Sequence, residues 1–304
     1  MLFAEETGTG SPATFIEYHA DDYGLFLSQS KRILECHTRG KLNGISILPN
    51  SEDLEACMAL LEPFRNEIAM TIHLNLFEGK CLTSPRKGVT DPDGTLRGSF
   101  AKLLIRSYLP GRKALKQWLK GELRAQIRAV AAYLPEGEAV RLDGHAHYHM
   151  LPVAFDALME IIEEDGLKVS YLRIPRERLS VYQKHLHQLH SFAPVNLVKV
   201  MILNLLAWRN ERKYRDYLDT LEKRLFLGVF LSGRMYRENV EPILADAIAL
   251  AEKTGQKIEI LAHPGGVEEP EDIRKLTSAE DIAFLTSDHR RREATLFERR
   301  DYDE

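Results

Sequence analysis

Short apolar segments alternate with longer amphipathic segments along most of the chain. Seven of the short segments have the length and composition of buried β-strands, and a segment with the spacing of a helix follows each one. They are Thr14–Tyr18, Gly44–Leu48, Ile68–His73, Val140–Asp143, Val169–Leu172, Phe226–Leu231 and Lys257–Leu261. This alternation predicts parallel strands joined by right-handed crossovers. We therefore expect an α/β fold, a seven-stranded TIM-like (β/α) barrel with helical insertions.

Neither a Gly/Pro-rich linker nor a repeat of fixed period divides the sequence. We expect residues 1–13 to form an N-terminal tail and residues 14–304 to form a single barrel domain. Two interruptions of the strand–helix rhythm predict insertions at about 77–133 and 178–224. Within the second insertion, the charges of segment 197–215 are scattered among apolar residues, and we interpret it as a helical insertion or dimer contact rather than a membrane-binding element.

Composition and charge narrow the class of protein. The 304 residues include 41 Lys and Arg against 45 Asp and Glu, a net charge of −4, which argues against a nucleic-acid partner. No segment approaches the roughly 18 uninterrupted apolar residues of a membrane span, and the first residues lack the pattern of a signal peptide. Three cysteines without CxxC spacing fit a reducing compartment, so we expect a cytoplasmic location.

Polar residues concentrate where the predicted strands end. The C-terminal ends of the strands in a parallel barrel meet on one face, so residues far apart in the sequence would share one pocket. These residues are His19, Asp21, Asp22, His73, Asp143, His145, His147, His149 and His263.

The residue types in this predicted pocket fit a metal-dependent hydrolase. Two imidazoles and one carboxylate can hold a divalent cation and leave positions open for water. Adjacent side chains leave a strand on opposite faces, so we expect one of Asp21 and Asp22 to bind the ion and the other to act as a base. An extended fourth strand would put Asp143 beside His145, where it could orient an imidazole. The residues alone leave open which histidine of the His-x-His-x-His run binds the ion.

Other polar residues allow simpler interpretations. Arg173, at the end of the fifth predicted strand, either recognises an anionic substrate group or pairs with a carboxylate. His185, His187 and His190 lack the i, i+4 spacing of a helical metal site and are interpreted as a helix face. Acidic residues balance the basic run 290–292, which is interpreted as a solvated helix with charge pairs.

Six segments together resemble the YdjC-like carbohydrate deacetylase family, which includes chitooligosaccharide and hopanoid-type N-acetylglucosamine deacetylases. The resemblance extends from about Thr14 to Phe297 and implies a seven-stranded barrel enzyme that hydrolyses an N-acetyl group from an amino sugar and releases acetate. The segments are HADDYGL, IHLNLFEG, LDGHAHYHMLP, LRIPRE, GVFLSGRM and LAHPGG.

The resemblance also implies roles for individual residues. Asp21 corresponds to the general base and His263 to the general acid. One divalent ion, Mg²⁺ or Zn²⁺, would be bound by Asp22, His73 and His145, and members are often homodimers. The remaining polar residues are candidates for orienting the ligands or binding the N-acetylated sugar; they are His19, Asp143, His147, His149 and Arg173.

Two positions depart from the family pattern. His19 stands where the family usually has Asn, and Gly144-His145-Ala146-His147 replaces a common Ser-His-His-His run. An extra imidazole at residue 19 would favour Zn²⁺. Two alternatives stay open: another metal-dependent barrel hydrolase of the phosphoesterase type, with more metal ions, and a non-catalytic sugar-binding protein.

Overall fold

The seven predicted strands form one parallel sheet in the computed structural model, which describes residues 15–276 and 279–299. The predicted N-terminal tail, residues 1–13, lies outside the described residues. The strand order is β5-β4-β3-β2-β1-β7-β6. The strands are β1 (Ile16–Tyr23), β2 (Gly44–Ile47), β3 (Ala69–Leu74), β4 (Val140–Gly144), β5 (Val169–Leu172), β6 (Arg224–Leu227) and β7 (Lys257–Ala262). The predicted α/β fold with seven parallel strands is confirmed.

The sheet curls into a half-barrel that stays open between β5 and β6. Within the described residues, no strand ladder joins these two edges. Glu177, which follows β5, forms an isolated bridge with Phe226 of β6, and the N–H of Glu222 donates to the carbonyl oxygen of Ser170 (3.4 Å). The open edge differs from the closed barrel of a TIM fold, because β5 ends after four residues and a side chain then binds the backbone N–H groups that follow β6.

That side chain is Glu177, whose carboxylate spans the open edge. Its oxygens accept hydrogen bonds from the backbone N–H groups of Gly228 (3.0 Å), Val229 (3.0 Å) and Phe230 (2.7 Å). The hydroxyl of Tyr182 donates to the same carboxylate. Glu177 is buried, so it satisfies backbone donors that would otherwise lie in the interior without partners.

Helices cover the outer face of the sheet, and among the described helices none is both long and apolar enough to cross a membrane. They are α1 (Leu27–Thr38), α2 (Leu54–Leu61), α3 (Phe100–Arg106), α4 (Arg112–Ala131), α5 (Pro152–Glu164), α6 (Ser180–Gln183), α7 (Pro194–Lys213), α8 (Arg215–Leu218), α9 (Arg237–Thr254), α10 (Pro270–Ile273), α11 (Ala279–Leu285) and α12 (Asp288–Glu293).

The structure divides the second predicted insertion, residues 178–224, into three helices, α6, α7 and α8. His185, His187 and His190 lie in turns between α6 and α7, so their interpretation as one helix face is wrong. Pro194 occupies the first turn of α7 and cannot continue a helix from upstream, because it lacks a backbone N–H and its ring clashes with a preceding turn.

The two faces of the sheet have opposite character. Apolar residues such as Ile45, Ile72 and Leu142 face the helices and belong to the main hydrophobic core. The inner face is lined by buried polar and charged side chains that bond to one another across neighbouring strands. The buried residues include Glu17, His19, Asp21, Ser46, Thr71, His73, Asp143, Tyr171 and Glu259, and the half-buried Arg141 and Arg224 bond to them.

We expect the Glu177→Ala variant to lower the free energy of unfolding by about 3 kcal/mol, because it leaves buried backbone donors without an acceptor. Urea denaturation measures this change. The Glu211→Ala variant, which removes one partner of the exposed Arg176–Glu211 pair, is the control and should cost at most about 1 kcal/mol. Equal losses in the two variants would contradict the role given to Glu177.

Candidate active site and metal centre

The end of β1 brings two adjacent carboxylates into one site. The register of β1 shifts between Ala20 and Tyr23, and Asp22 has a φ of 68°, in the left-handed region that Asp adopts more readily than most residues. Asp21 Oδ2 and Asp22 Oδ1 consequently lie 3.8 Å and 3.6 Å from His73 Nε2. The expectation that the two carboxylates face opposite sides is wrong here, because side chains alternate only along an extended strand.

Asp22, His73 and His145 form a compact group of potential metal ligands. One ligand atom from each lies within 4.8 Å of those of the other two. Asp22 Oδ1 is 2.9 Å from His145 Nδ1. β1, β3 and the turn after β4 each contribute one of these residues, so the sheet brings together the three residues that the sequence analysis placed on the metal.

The orientation of His73 is fixed by its neighbour on β4. His73 and Asp143 are paired in the β3–β4 register, and His73 Nδ1 donates a hydrogen bond to Asp143 Oδ1 (2.7 Å). His73 Nε2 therefore points toward Asp21 and Asp22, and this buried nitrogen has no hydrogen-bond partner among the described residues. Burial alone would lower the pKa of His73, but the carboxylates of Asp143 and Asp21 raise it to about 10.

These residues fit a divalent cation. Two imidazoles and one carboxylate are common ligands of such ions, and a hydrogen-bonded carboxylate behind a ligand histidine is the usual arrangement. A cation beside His73 Nε2 would give this buried nitrogen a partner and offset the negative charge that otherwise favours a proton on the ring.

The turn that follows β4 separates the three clustered histidines. His145–Met150 form a 3-10 turn, in which Ala146 and His147 have left-handed φ angles of 46° and 59°. His145 joins the metal-ligand group, whereas His147 contacts the ring of Phe226 at a centroid distance of 5.8 Å. The buried His149 forms a hydrogen bond between its Nε2 and the backbone carbonyl oxygen of Arg173 (2.8 Å). Because the strand stops at Gly144, the three rings do not share one strand face.

Arg173 lies at the centre of the charged interior and is fully buried. Its Nη1 is 3.0 Å from both oxygens of Asp21 and 2.5 Å from Asp143 Oδ2, and its Nη2 is 2.6 Å from Glu259 Oε1. Burial alone would raise the pKa of Asp21 and of Asp143, but Arg173 and His73 hold both below their usual range. Arg173 was interpreted either as a residue that recognises an anionic substrate group or as one that pairs with a carboxylate. The structure shows the second arrangement.

His19 is occupied by neighbours other than the metal-ligand group. Its Nδ1 is 2.8 Å from Glu17 Oε1, and its Nε2 is 2.7 Å from Ser46 Oγ. The nearest contact with the active-site carboxylates is 3.7 Å, between Nε2 and Asp21 Oδ1. His19 does not belong to the group of Asp22, His73 and His145, although its ring lies within 4.8 Å of ligand atoms of Asp21 and Asp143. Since both ring nitrogens are engaged, His19 would have to give up the bond to Glu17 or to Ser46 before it could bind a metal ion.

His263 follows β7 and is held by a buried carboxylate. Its backbone N–H donates to Glu293 Oε2 (2.6 Å), and its Nδ1 lies 3.6 Å from the same oxygen. Burial alone would raise the pKa of Glu293, but His263 and backbone donors lower it, so Glu293 carries a negative charge beside the imidazole.

A cavity of about 480 Å³ joins these groups. Asp21, Asp22, His145, His147 and His263 line it, and the fully buried His73 lies behind this wall. Most of the remaining wall is apolar and includes Phe77, Phe100, Ile202, Leu203, Val229, Phe284 and Leu285. The cavity can therefore hold an uncharged group between two carboxylates and a histidine.

Residues 17–299 match the profile of the YdjC-like protein family. The chain belongs to this family.

Relatives of this YdjC-like protein include proteins named carbohydrate deacetylase. Those from Danio rerio and Mus musculus are 26% and 27% identical to it over 162 residues, which is 52% of this chain in each case. The chain spans about half the length of these relatives, 48% and 50% respectively. The Xenopus laevis protein of the same name is 23% identical over 274 residues, which cover 83% of this chain and 81% of that protein.

The fold also resembles that of a solved structure from Enterococcus faecalis, whose name proposes cellobiose-phosphate cleavage. The TM-score is 0.58 at 18% identity, with 92% of this chain and 93% of the other covered. At this identity, the likeness supports the fold of the YdjC-like protein.

Sequence reasoning missed two site residues of the YdjC-like protein on α12. Arg290 Nη2 is 2.6 Å from Asp22 Oδ2, and both Arg290 and Glu293 are buried. The interpretation of this segment as a solvated helix is wrong for these two residues, although Arg291 and Arg292 do form exposed charge pairs. Arg290 and Glu293 are three residues apart and therefore lie on one face of the helix. This spacing was the signal in the sequence that both could be buried together.

Glu78 is a third residue that sequence reasoning missed. It lies in the loop after β3, and its Oε1 is 3.3 Å from His145 Nε2. Glu78 lies in the IHLNLFEG segment, and this motif was the available signal. Its contact with His145 could not be predicted, because it depends on how the loop packs over the site.

We expect the Arg173→Met variant to lower the free energy of unfolding by about 3–5 kcal/mol, because it leaves buried carboxylates without their shared cation. Chemical denaturation measures this loss. The control is Arg176→Met, which breaks an exposed pair and should cost at most about 1 kcal/mol. A stable Arg173→Met protein would show that Arg173 does not hold the interior together.

We expect the Asp143→Asn variant to bind a divalent ion about 10- to 100-fold more weakly, since Asp143 orients His73. Titration calorimetry of metal-stripped protein with Zn²⁺ measures the affinity, and circular dichroism checks the fold. Asp91→Asn, in an exposed ion pair with Arg97, is the matched control. Unchanged affinity in Asp143→Asn would contradict the assignment of His73 as a ligand.

Proposed function

We propose that this protein is a metal-dependent hydrolase that removes the N-acetyl group from an amino sugar or N-acetylated oligosaccharide and releases acetate. The main support is the single cavity lined by Asp21, Asp22, His145 and His263. Behind it lies the Nε2 of His73, which forms no hydrogen bond within the described ranges 15–276 and 279–299. Relatives named carbohydrate deacetylase support the choice of a sugar substrate.

The proposed metal site consists of Asp22, His73 and His145 and takes one divalent ion, Mg²⁺ or Zn²⁺. Two imidazole ligands favour Zn²⁺. When bound, such an ion polarises the acyl oxygen of the amide and lowers the pKa of water. Arg290 and Asp143 position Asp22 and His73, so two of the ligands are held in place before the ion arrives.

Asp21 is the proposed general base. Arg173 lies 3.0 Å from both of its oxygens and holds its pKa below the usual range, so the carboxylate is ionised. In this state it can accept a proton from the water that attacks the acyl carbon. The guanidinium also fixes the direction of the carboxylate, which lies on the wall of the cavity.

His263 is the proposed general acid. It gives a proton to the amide nitrogen as the C–N bond breaks, so that the sugar leaves as an amine and the acyl group as acetate. Glu293, whose Oε2 lies 3.6 Å from Nδ1, would orient its ring. His147, which also lines the cavity, is a candidate for binding the sugar.

We expect Asp21→Asn to lower kcat for acetate release by about 10²–10⁴-fold, and His263→Gln to do the same, because each removes one proton-transfer group. Both variants should keep the stoichiometry of metal binding. His187→Ala, at an exposed histidine outside the site, is the control and should retain full activity. Near wild-type acetate release by Asp21→Asn would show that another group is the base.

An acetate-release screen over N-acetylated mono- and oligosaccharides, with metal-stripped protein and each divalent ion added back, tests the whole proposal. One bound ion per chain and metal-dependent acetate release would support it. Two or three ions per chain with phosphate-ester hydrolysis would favour the phosphoesterase alternative. Sugar binding without acetate release under any ion would favour the non-catalytic alternative. The cytoplasmic location and the homodimer stay predictions from the sequence.

A further inference from the structure

The solvent-facing side of α7 carries a row of large apolar residues. We call Val195, Val198, Met201, Leu205 and Trp208 the α7 stripe. Their side chains are exposed by 58%, 54%, 64%, 63% and 51% respectively. Their spacing of three or four residues places them along one face of the helix. An apolar row of this length on a protein surface is typical of an interaction site.

The opposite side of α7 already serves the core. Val200, Leu203, Leu206 and Ala207 are buried and belong to the main hydrophobic cluster. The helix is therefore apolar on both sides, whereas a surface helix normally has a polar outer face. Packing within the chain accounts for one side of α7 and leaves the stripe to be covered by something else.

The C-terminal end of α7 is strongly basic. Residues 194–215 contain five Lys and Arg residues and one acidic residue, in a chain whose net charge is −4. Trp208 at the end of the stripe contacts the guanidinium of Arg212 at 5.6 Å, and both line a cleft of about 1090 Å³ that also contains Arg178 and Arg215. We call this the basic cleft.

The basic cleft contains more cations than the ion pairs of the described residues account for. The one acidic residue of the segment, Glu211, pairs with Arg176 at 2.8 Å. Within the described part of the chain, Arg178, Arg212 and Arg215 form no ion pair with a carboxylate. A stripe of apolar side chains thus runs directly into a cleft with unpaired guanidinium groups.

An anionic lipid surface fits this combination better than a second copy of the chain. Two copies joined through α7 would bring two net basic segments to one interface. Of the acidic residues in the cleft, Glu211, Asp219 and Glu222 already pair with Arg or Lys of their own chain. Within the described residues this leaves Asp216 as the one cleft carboxylate that each copy could offer to several arginines. A lipid surface supplies the acyl boundary for the apolar side chains and phosphate groups for the arginines. Tryptophan and arginine are also well suited to the interfacial region and to phosphate, respectively.

We propose that the α7 stripe and the basic cleft dock this protein on an anionic membrane surface. This proposal replaces the interpretation of segment 197–215 as a helical insertion or dimer contact rather than a membrane-binding element. The stripe enters the boundary between headgroups and acyl chains, and the guanidinium groups of Arg178, Arg212 and Arg215 bind the lipid phosphates. In this arrangement α7 lies on the membrane surface without crossing it, since its other side is packed against the protein core.

Docking would place the candidate active site next to the lipid. Lys199, Ile202 and Leu203 of α7 line the cavity that contains Asp21 and His263. Residues on one side of the helix therefore border the cavity, while the stripe beside them faces outward. Docking does not rest on the proposed function, because it is measured as binding in the absence of turnover.

The test is flotation of the full chain with vesicles of phosphatidylcholine alone and of phosphatidylcholine with phosphatidylglycerol. We expect binding to the anionic vesicles at least about 10-fold tighter than to the neutral ones, since several cations face the lipid. Tryptophan emission should shift to shorter wavelength on binding, and Trp208→Phe should remove this shift. Failure to bind either type of vesicle would overturn the proposal.

Two double variants identify the surface. Met201→Glu with Leu205→Glu should weaken binding at least about 10-fold, and Arg212→Glu with Arg215→Glu should abolish the preference for anionic vesicles. Leu82→Glu, at an exposed leucine elsewhere, is the control and should bind like the wild type. If the first double variant fails to fold by circular dichroism, the second, at exposed positions, decides the question.

Unchanged binding in a folded double variant would overturn the proposal. So would a wild-type dimer in sedimentation experiments that Met201→Glu with Leu205→Glu converts to monomer, because a second copy would then cover the stripe.

Discussion

The interior of this protein depends on one buried positively charged side chain, that of Arg173. Arg173 is fully buried and pairs with Asp21, Asp143 and Glu259, which come from three different strands. Removing one member of such a network leaves an uncompensated buried charge, which is far more costly than losing an exposed ion pair. Arg173 therefore constrains both the curvature of the sheet and the chemistry at its edge.

The site follows from that constraint in a chain of contacts. Arg173 holds Asp143, and Asp143 orients His73 toward Asp22, while Arg290 fixes Asp22 from the opposite end of the sequence. The same guanidinium keeps Asp21 ionised. The proposed base and the proposed ligands are thus positioned by one connected network, and α7 supplies part of the wall that surrounds them.

The sequence was sufficient to predict the strands and the grouping of polar residues at their C-terminal ends, because periodicity and parallel topology are local or general rules. It could not predict the left-handed Asp22, since that conformation depends on the surrounding packing. It also missed Arg290 and Glu293, whose burial depends on α12 docking at the C-terminal ends of β1 and β7. The open edge spanned by Glu177 is likewise a tertiary feature that no strand pattern contains.

The most direct test of the central claim is an anomalous-difference map from crystals of the protein grown with Zn²⁺. The account predicts one strong peak per chain, bounded by Asp22, His73 and His145. A peak at another group of residues, or several peaks of equal strength in the cavity, would contradict it.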